Sequence, residues 1–171
     1  MTADDRVAGM ATPQIRLATD ADVSSLAGLR AEWESEKRPV ETEGFESEFR
    51  SWFSIESPRR LFWIASADGV DVGMVNLMLF DRMPSPGSPS GGWGYLGNMY
   101  VSRRCRNRGI GRLLAGALLA EADSLGLERV VLNPTKRAIP FYVRNGFRGA
   151  HELLLRTHSS SRADTEVMTS G

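Results

Sequence analysis

Met99-Tyr100-Val101-Ser102-Arg103-Arg104-Cys105-Arg106-Asn107-Arg108-Gly109-Ile110-Gly111-Arg112-Leu113-Leu114 is the stretch that decides how this chain folds. Its first residues end a strand-like run over 93–101. Its last open a helix expected over about 109–125, with Ile110, Leu113, Leu114, Ala117 and Leu118 as the buried stripe. Between strand and helix lies a basic turn with two glycines. A helix start leaves its first backbone N–H groups without partners, and the helix dipole adds partial positive charge there. Glycine at 109 and 111 removes the side chains that would hold an anion away from those groups. Arg103, Arg104, Arg106, Arg108 and Arg112 surround the turn, so the stretch suits a pyrophosphate.

Downstream, Gly126 stops the helix, and a strand over 129–132 is expected to lie parallel to 93–101, because a full helix separates the two. A short helix then runs to Asn145 with Gly146 as its cap, and 147–148 and 152–156 are expected to close the sheet. Upstream, 15–18 alternates like a strand, and Thr19 or Asp20 caps a helix carrying Val23, Leu26, Leu29 and Trp33. A second helix places Phe45, Phe49, Trp52 and Phe53 on one face. Strands over 61–65 and 70–80 flank the Asp68-Gly69 turn, and 83–92 is too rich in Pro, Gly and Ser for regular structure.

The bulk composition specialises in nothing. The 171 residues are 42% hydrophobic and 25% charged, and 21 Lys plus Arg balance 21 Asp plus Glu, so no net field draws the chain to nucleic acid or membrane. A lone cysteine, Cys105, rules out an internal disulfide and a cysteine-rich zinc site, and His151 and His158 do not suffice for a histidine metal centre. No run approaches the ~18 apolar residues of a membrane span. A cytoplasmic, metal-free protein is expected, with a flexible leader over 1–13, one domain over 14–156 and a disordered polar tail over 157–171.

A dinucleotide-binding unit also places Gly-x-Gly between strand and helix. Its third glycine falls here on Leu114, and the next strand runs into Asn133 and Pro134 instead of an acidic residue, both against a nicotinamide cofactor. The phosphate-loop pattern fails for want of Gly-Lys-Ser/Thr.

The chain resembles the GNAT superfamily of N-acetyltransferases. Arg106, Gly109 and Gly111 match the fixed positions of that family's Arg/Gln-x-x-Gly-x-Gly/Ala signature, and Ala138-Ile139-Pro140-Phe141-Tyr142-Val143-Arg144-Asn145-Gly146-Phe147 is similar to its final helix. The resemblance spans about 14–156. It implies a mixed α/β (α+β) fold with a mostly antiparallel central sheet, splayed where two parallel strands admit acetyl-CoA, and helices on both faces. It further implies that Met99 and Val101, with Tyr100 between them, offer backbone groups to the pantetheine arm. Arg106, Asn107, Arg108, Gly109, Ile110, Gly111 and Arg112 would hold the pyrophosphate, and Asn133, Phe141 and Arg144 would line the cosubstrate's path. Thr135 stands where the family often has Asn. Tyr142 would protonate the leaving thiolate, a role that a phenol protonated at neutral pH can fill.

The implied reaction is direct transfer of acetyl from acetyl-CoA to an amine of a small molecule or peptide, with a homodimer as a further expectation. A non-catalytic acyl-CoA-binding module on the same fold is the alternative, and an intact Tyr142 speaks against it. The amine must be neutral to attack. Glu32, Glu34, Glu36, Glu41, Glu43 and Asp81 are candidates to take its proton, whereas Asn98 is no base, and a water chain to solvent is the preferred relay. Trp93, Tyr95 and Met83, with Trp33 and Trp52, are candidate walls of an acceptor pocket. Cys105, although in a basic turn, has no role in direct transfer.

Overall fold

The computed structural model of the protein describes residues 12–87 and 91–149. The chain opens with β1 (Gln14–Leu17) and a short 3-10 turn, in which Thr19 N–H donates to Asp22 Oδ2 (2.8 Å) and Arg16 pairs with the same carboxylate at 2.7 Å. The helices α1 (Val23–Ser35) and α2 (Phe45–Glu56) follow. Then come β2 (Arg60–Ala67), β3 (Val70–Asp81), β4 (Gly92–Val101), α3 (Ile110–Ser124), β5 (Val130–Val131) and α4 (Ile139–Arg144). Strand order in the sheet is β1-β2-β3-β4-β5, antiparallel throughout except for the final parallel pair.

That parallel pair is thin. Gly94 lies opposite Val130 and Tyr95 opposite Val131, and no further register holds. β4 runs on to Val101 with β3 on one side, and among the described residues no strand pairs with its other edge from Leu96 onward. The expected splay is present, and β5 is shorter than the strand expected over 129–132.

Helices cover both faces. On one, Ile110, Leu114, Leu118 and Ala122 of α3 pack on Trp63, Ala65, Val75, Leu77 and Leu96. On the other, Val23, Leu26 and Leu29 of α1 and Phe53 of α2 pack on Phe62, Ile64, Met74 and Tyr100. The α3 stripe differs from the expected one: Leu113 is 43% exposed and Ala117 only partly buried, while Ala115 and Ala122 are buried.

Alternation fails in β4, and the reason is local. Met74 faces Tyr100 and Asn76 faces Gly97, so β4 carries one extra residue between these pairs, with Asn98 at φ +52°. This β-bulge switches the facing of the strand. Leu96 points to the α3 face before it, whereas Met99 and Val101 do so after it, and Tyr100 turns to α1.

The expected strand at 147–148 does not form. Phe147 N–H donates to Tyr142 O (3.1 Å) and Gly146 N–H to Val143 O (3.1 Å), closing a Schellman turn around Gly146 at φ +89°. The backbone donor that would have entered the sheet is committed to the helix end. Residues 152–156, most of the leader and the tail lie outside the described residues.

Candidate active site

A cleft of about 850 Å³ opens along the unpaired edge of β4 and over the start of α3. Gly109 caps α3 at φ +80°, a left-handed conformation that disfavours side chains, and the turn before it also uses Asn107 at φ +62°. The first bond of the helical ladder runs from Leu113 N–H to Gly109 O (3.0 Å), so the N–H groups of Ile110, Gly111 and Arg112 precede it and are the free donors of a helix start. Gly111 has an ordinary φ; a Cβ there would touch the Phe141 ring at 3.4 Å, and one at Gly109 would project into open space. Both glycines leave the cradle clear. The residues present fit a pyrophosphate.

Of the residues expected to hold the cosubstrate, Met99, Tyr100, Val101, Arg106, Asn107, Gly109, Ile110, Gly111, Arg112, Thr135, Phe141 and Arg144 line this cleft. Arg108, Asn133 and Tyr142 do not. Trp33, Arg137 and Asn145 line it without having been singled out for it, as does Cys105, which is 3% exposed and packs in the α3-side core. The Asn145 side chain donates to Phe141 O at 2.8 Å, fixing the end of α4 at the cleft.

Arg106 is tied down on three sides. Its Nη2 donates to both Glu36 oxygens (2.8 and 2.7 Å), its Nε to Val101 O (2.8 Å), and its guanidinium lies 5.6 Å from the Tyr100 ring centre. Tyr100 Oη donates to Glu36 Oε1 (2.8 Å), and Ser102 Oγ to Glu32 Oε2 (3.0 Å). Burial acts to raise the Glu36 pKa, but hydrogen bonds from Arg106 and Tyr100 and the Arg106 charge outweigh it and hold it low. Burial, the bond to Glu36 and the Glu32 charge hold the Tyr100 phenol far above its ordinary value. Glu32 and Glu36 are therefore anchors between α1 and the basic turn. Glu34 is likewise committed, to Arg30 (2.7 Å) and Lys37 (3.1 Å), and Glu41 caps the backbone of Thr42.

Tyr142 sits half-buried behind the cleft, edge-on to Phe141 and Phe147 at centroid distances of 5.0 and 5.6 Å. Burial, then the neighbouring Tyr95 of β4, push its phenol above the ordinary value. It stays protonated through the neutral range.

A second cavity of about 290 Å³ lies on the α1/α2 side. Its lining includes Phe45, Phe49 and Trp52 of α2, Phe62 of β2, Asn76 of β3 and the bulge residue Asn98. Asn98 lines this cavity and Met99 the first, so adjacent residues of β4 line the two. Of the expected acceptor walls only Trp52 is here. Trp33 lines the first cleft, Trp93 stacks flat on Phe80 at 4.1 Å, Met83 is 91% exposed, and Tyr95 lines neither cavity. Glu48, absent from the expected bases, is the one carboxylate among the described residues that line this second cavity.

With this geometry in view, residues 26–147 match the family model of the acetyltransferase (GNAT) family. The chain belongs to that family. It is an acyltransferase by that membership. No curated protein matches the chain. A predicted acetyltransferase from Clostridium acetobutylicum, solved with acetyl-CoA, superposes with a TM-score of 0.69 at 22% identity, over 85% of this chain and 96% of its own. An acetyltransferase from Trypanosoma brucei gives 0.66 at 23%, over 86% and 99%. Glucosamine-6-phosphate N-acetyltransferase from Arabidopsis thaliana gives 0.68 at 16%, over 88% and 100%. Identities this low speak to the fold. Among the described residues no group of three or more His, Cys, Asp or Glu could hold a metal ion, and no helix is long and apolar enough to cross a membrane.

Proposed function

We propose that this GNAT enzyme transfers acetyl directly from acetyl-CoA to a primary amine of a small molecule or peptide in the cytoplasm. The observation that carries the reading is the continuity of the first cleft: a strand edge at 96–101 that no strand among the described residues covers leads into the helix-start N–H groups at 110–112. An extended pantetheine arm can take the backbone groups of Met99 and Val101 as an added strand would, and the pyrophosphate can take the helix start. With Arg106 paired to Glu36, the helix N–H groups, Arg112 and Arg144 carry the phosphate charge; Arg106 itself braces the turn.

The amine enters by the second cavity and meets the thioester at the β4 bulge. Its nitrogen attacks the carbonyl carbon once the ammonium has lost a proton to water or to Glu48. Collapse of the tetrahedral intermediate breaks the C–S bond, and Tyr142, held protonated by burial, supplies a proton to the thiolate. Proximity of two bound reactants supplies a large share of the rate enhancement. Thiol release with a broad amine panel tests the reading, alongside calorimetry with CoA. Binding without thiol release from any amine would favour the non-catalytic module, and stabilisation by NAD but not CoA would overturn the assignment.

A further inference from the structure

We propose that the second cavity selects an arylalkylamine, a primary amine on a short chain that carries one planar apolar ring system. The inference rests on the acyl-transfer reading and narrows its acceptor. Phe49 and Trp52 lie 5.3 Å apart at 50°, Trp52 and Phe62 6.1 Å apart at 82°, and Phe45 and Phe49 6.0 Å apart at 57°. Rings tilted in this way present both faces and edges, the geometry in which an aromatic guest is held. The volume of 290 Å³ is at the small end of ligand sites, which run from about 300 to 1,000 Å³, and suits one ring system with a short chain.

The polar groups set the charge of the guest. Arg30 lines the cavity, pairs at 2.7 Å with Glu34, a carboxylate that Lys37 shares, and lies 4.7 Å from the Trp33 ring centre. Arg60, behind the floor, pairs with Glu56 at 2.8 Å. Glu48, exposed at the cavity, makes no ion pair among the described residues and is the carboxylate there that a cationic guest can meet. Asn76 is buried, and its Oδ1 accepts from Arg60 Nη1 at 3.1 Å. Because arginine only donates, the amide oxygen must face Arg60, which leaves the NH2 to the cavity side. An ammonium meets Glu48 and the faces of aromatic rings. A phosphorylated amine would set its charge against Glu48 and find Arg30 already engaged by Glu34, and a polyhydroxylated amine would lay its hydroxyls against rings that cannot bond them.

The reaction balances without a co-reactant. The arylalkylammonium loses one proton, its nitrogen forms the C–N bond, the C–S bond breaks, and the second N–H proton is matched by the one the thiolate gains. The products are the N-acetyl amine, free CoA and one proton.

The test compares kcat/KM by thiol release for tryptamine and 2-phenylethylamine with that for glucosamine 6-phosphate, kanamycin, spermidine and a short peptide with a free N-terminus. The aryl amines should lead by about tenfold or more. Trp52→Ala and Glu48→Gln should each raise the KM for tryptamine while the KM for acetyl-CoA stays within about twofold. A sugar, polyamine or peptide acceptor that outperforms both aryl amines overturns the proposal, as does an unchanged tryptamine KM in both variants. Calorimetry of tryptamine against the wild-type protein, with and without CoA, covers the case of no turnover or of misfolded variants: absence of binding in both conditions overturns the proposal. Failure of acetyl-CoA to bind would instead remove the acyl-transfer reading, and tryptamine binding would still report on the cavity.

Discussion

Tyr142→Phe keeps the ring against Phe141 and Phe147 and removes one O–H, so it separates proton donation from packing. We expect kcat to fall by ~100-fold or more, with acetyl-CoA affinity and melting temperature nearly unchanged, because the proton is needed only in the transition state. Pre-steady-state thiol release is the measurement, since slow product release would mask the effect; a wild-type burst rate would return Tyr142 to the core. Gly111 makes a different demand. Its φ is ordinary, so Gly111→Val strains no backbone, but the added methyls fill the cradle beside Phe141. Acetyl-CoA affinity should drop by at least ~tenfold, or about 1.4 kcal/mol, in calorimetry on a protein that still melts cooperatively. The opposite pattern is expected at Gly109, where φ is +80° and a side chain costs stability first.

Between elements, the decisive device is the bulge of β4. Asn98 holds φ +52° without being glycine, a conformation that asparagine tolerates and β-branched residues do not. Asn98→Val should therefore cost stability on the order of 1–2 kcal/mol in urea titration, while Asn98→Gly stays close to wild type. Val restoring or raising stability would mean that the strand prefers regular pleating. Nothing in the run Gly92–Val101 marks this bulge, because asparagine between glycine and methionine reads equally well as an alternating residue. The cradle was legible for the opposite reason: strand end, turn and helix start are contiguous, so one stretch of sequence contains nearly all of its geometry. The second cavity draws on α1, α2, β2, β3 and β4, and the spacing of Phe45, Phe49 and Trp52 on α2 is also what a buried face would show. Hence Trp52 of this cavity stands out among the aromatics, Trp93 lines neither cavity, and Glu48, one residue from Phe49, reads as a surface charge.

Taken whole, the molecule balances charge by pairing it locally. Glu56, mostly buried, is held down to about 2 by hydrogen bonds from Arg59 and Arg60 and by their charge. A carboxylate with a depressed folded pKa contributes stability that is complete above its unfolded value, about 4.3, and is lost as pH falls toward the folded one. Glu56→Gln should therefore lower the melting temperature at pH 7, and the gap to wild type should close as pH drops from about 4.3 toward 2. A gap independent of pH would mean that shape, not charge, is what Glu56 supplies. The parallel pairing of the last two strands followed from the helix between them, and the mostly antiparallel sheet with helices on both faces from the family resemblance, but the shortness of the last pairing followed from neither. Among the described residues β5 meets β4 through two residue pairs, and Val130, Leu132, Tyr142 and Phe147 hold the chain from there to α4 against the core. Such a segment should open and close as a unit, well before the rest of the protein unfolds. Amide exchange over 130–146 should be the fastest among the regular elements of the free protein, and it should slow selectively when CoA bridges the two sides. The cosubstrate would then act as the missing rungs of the ladder.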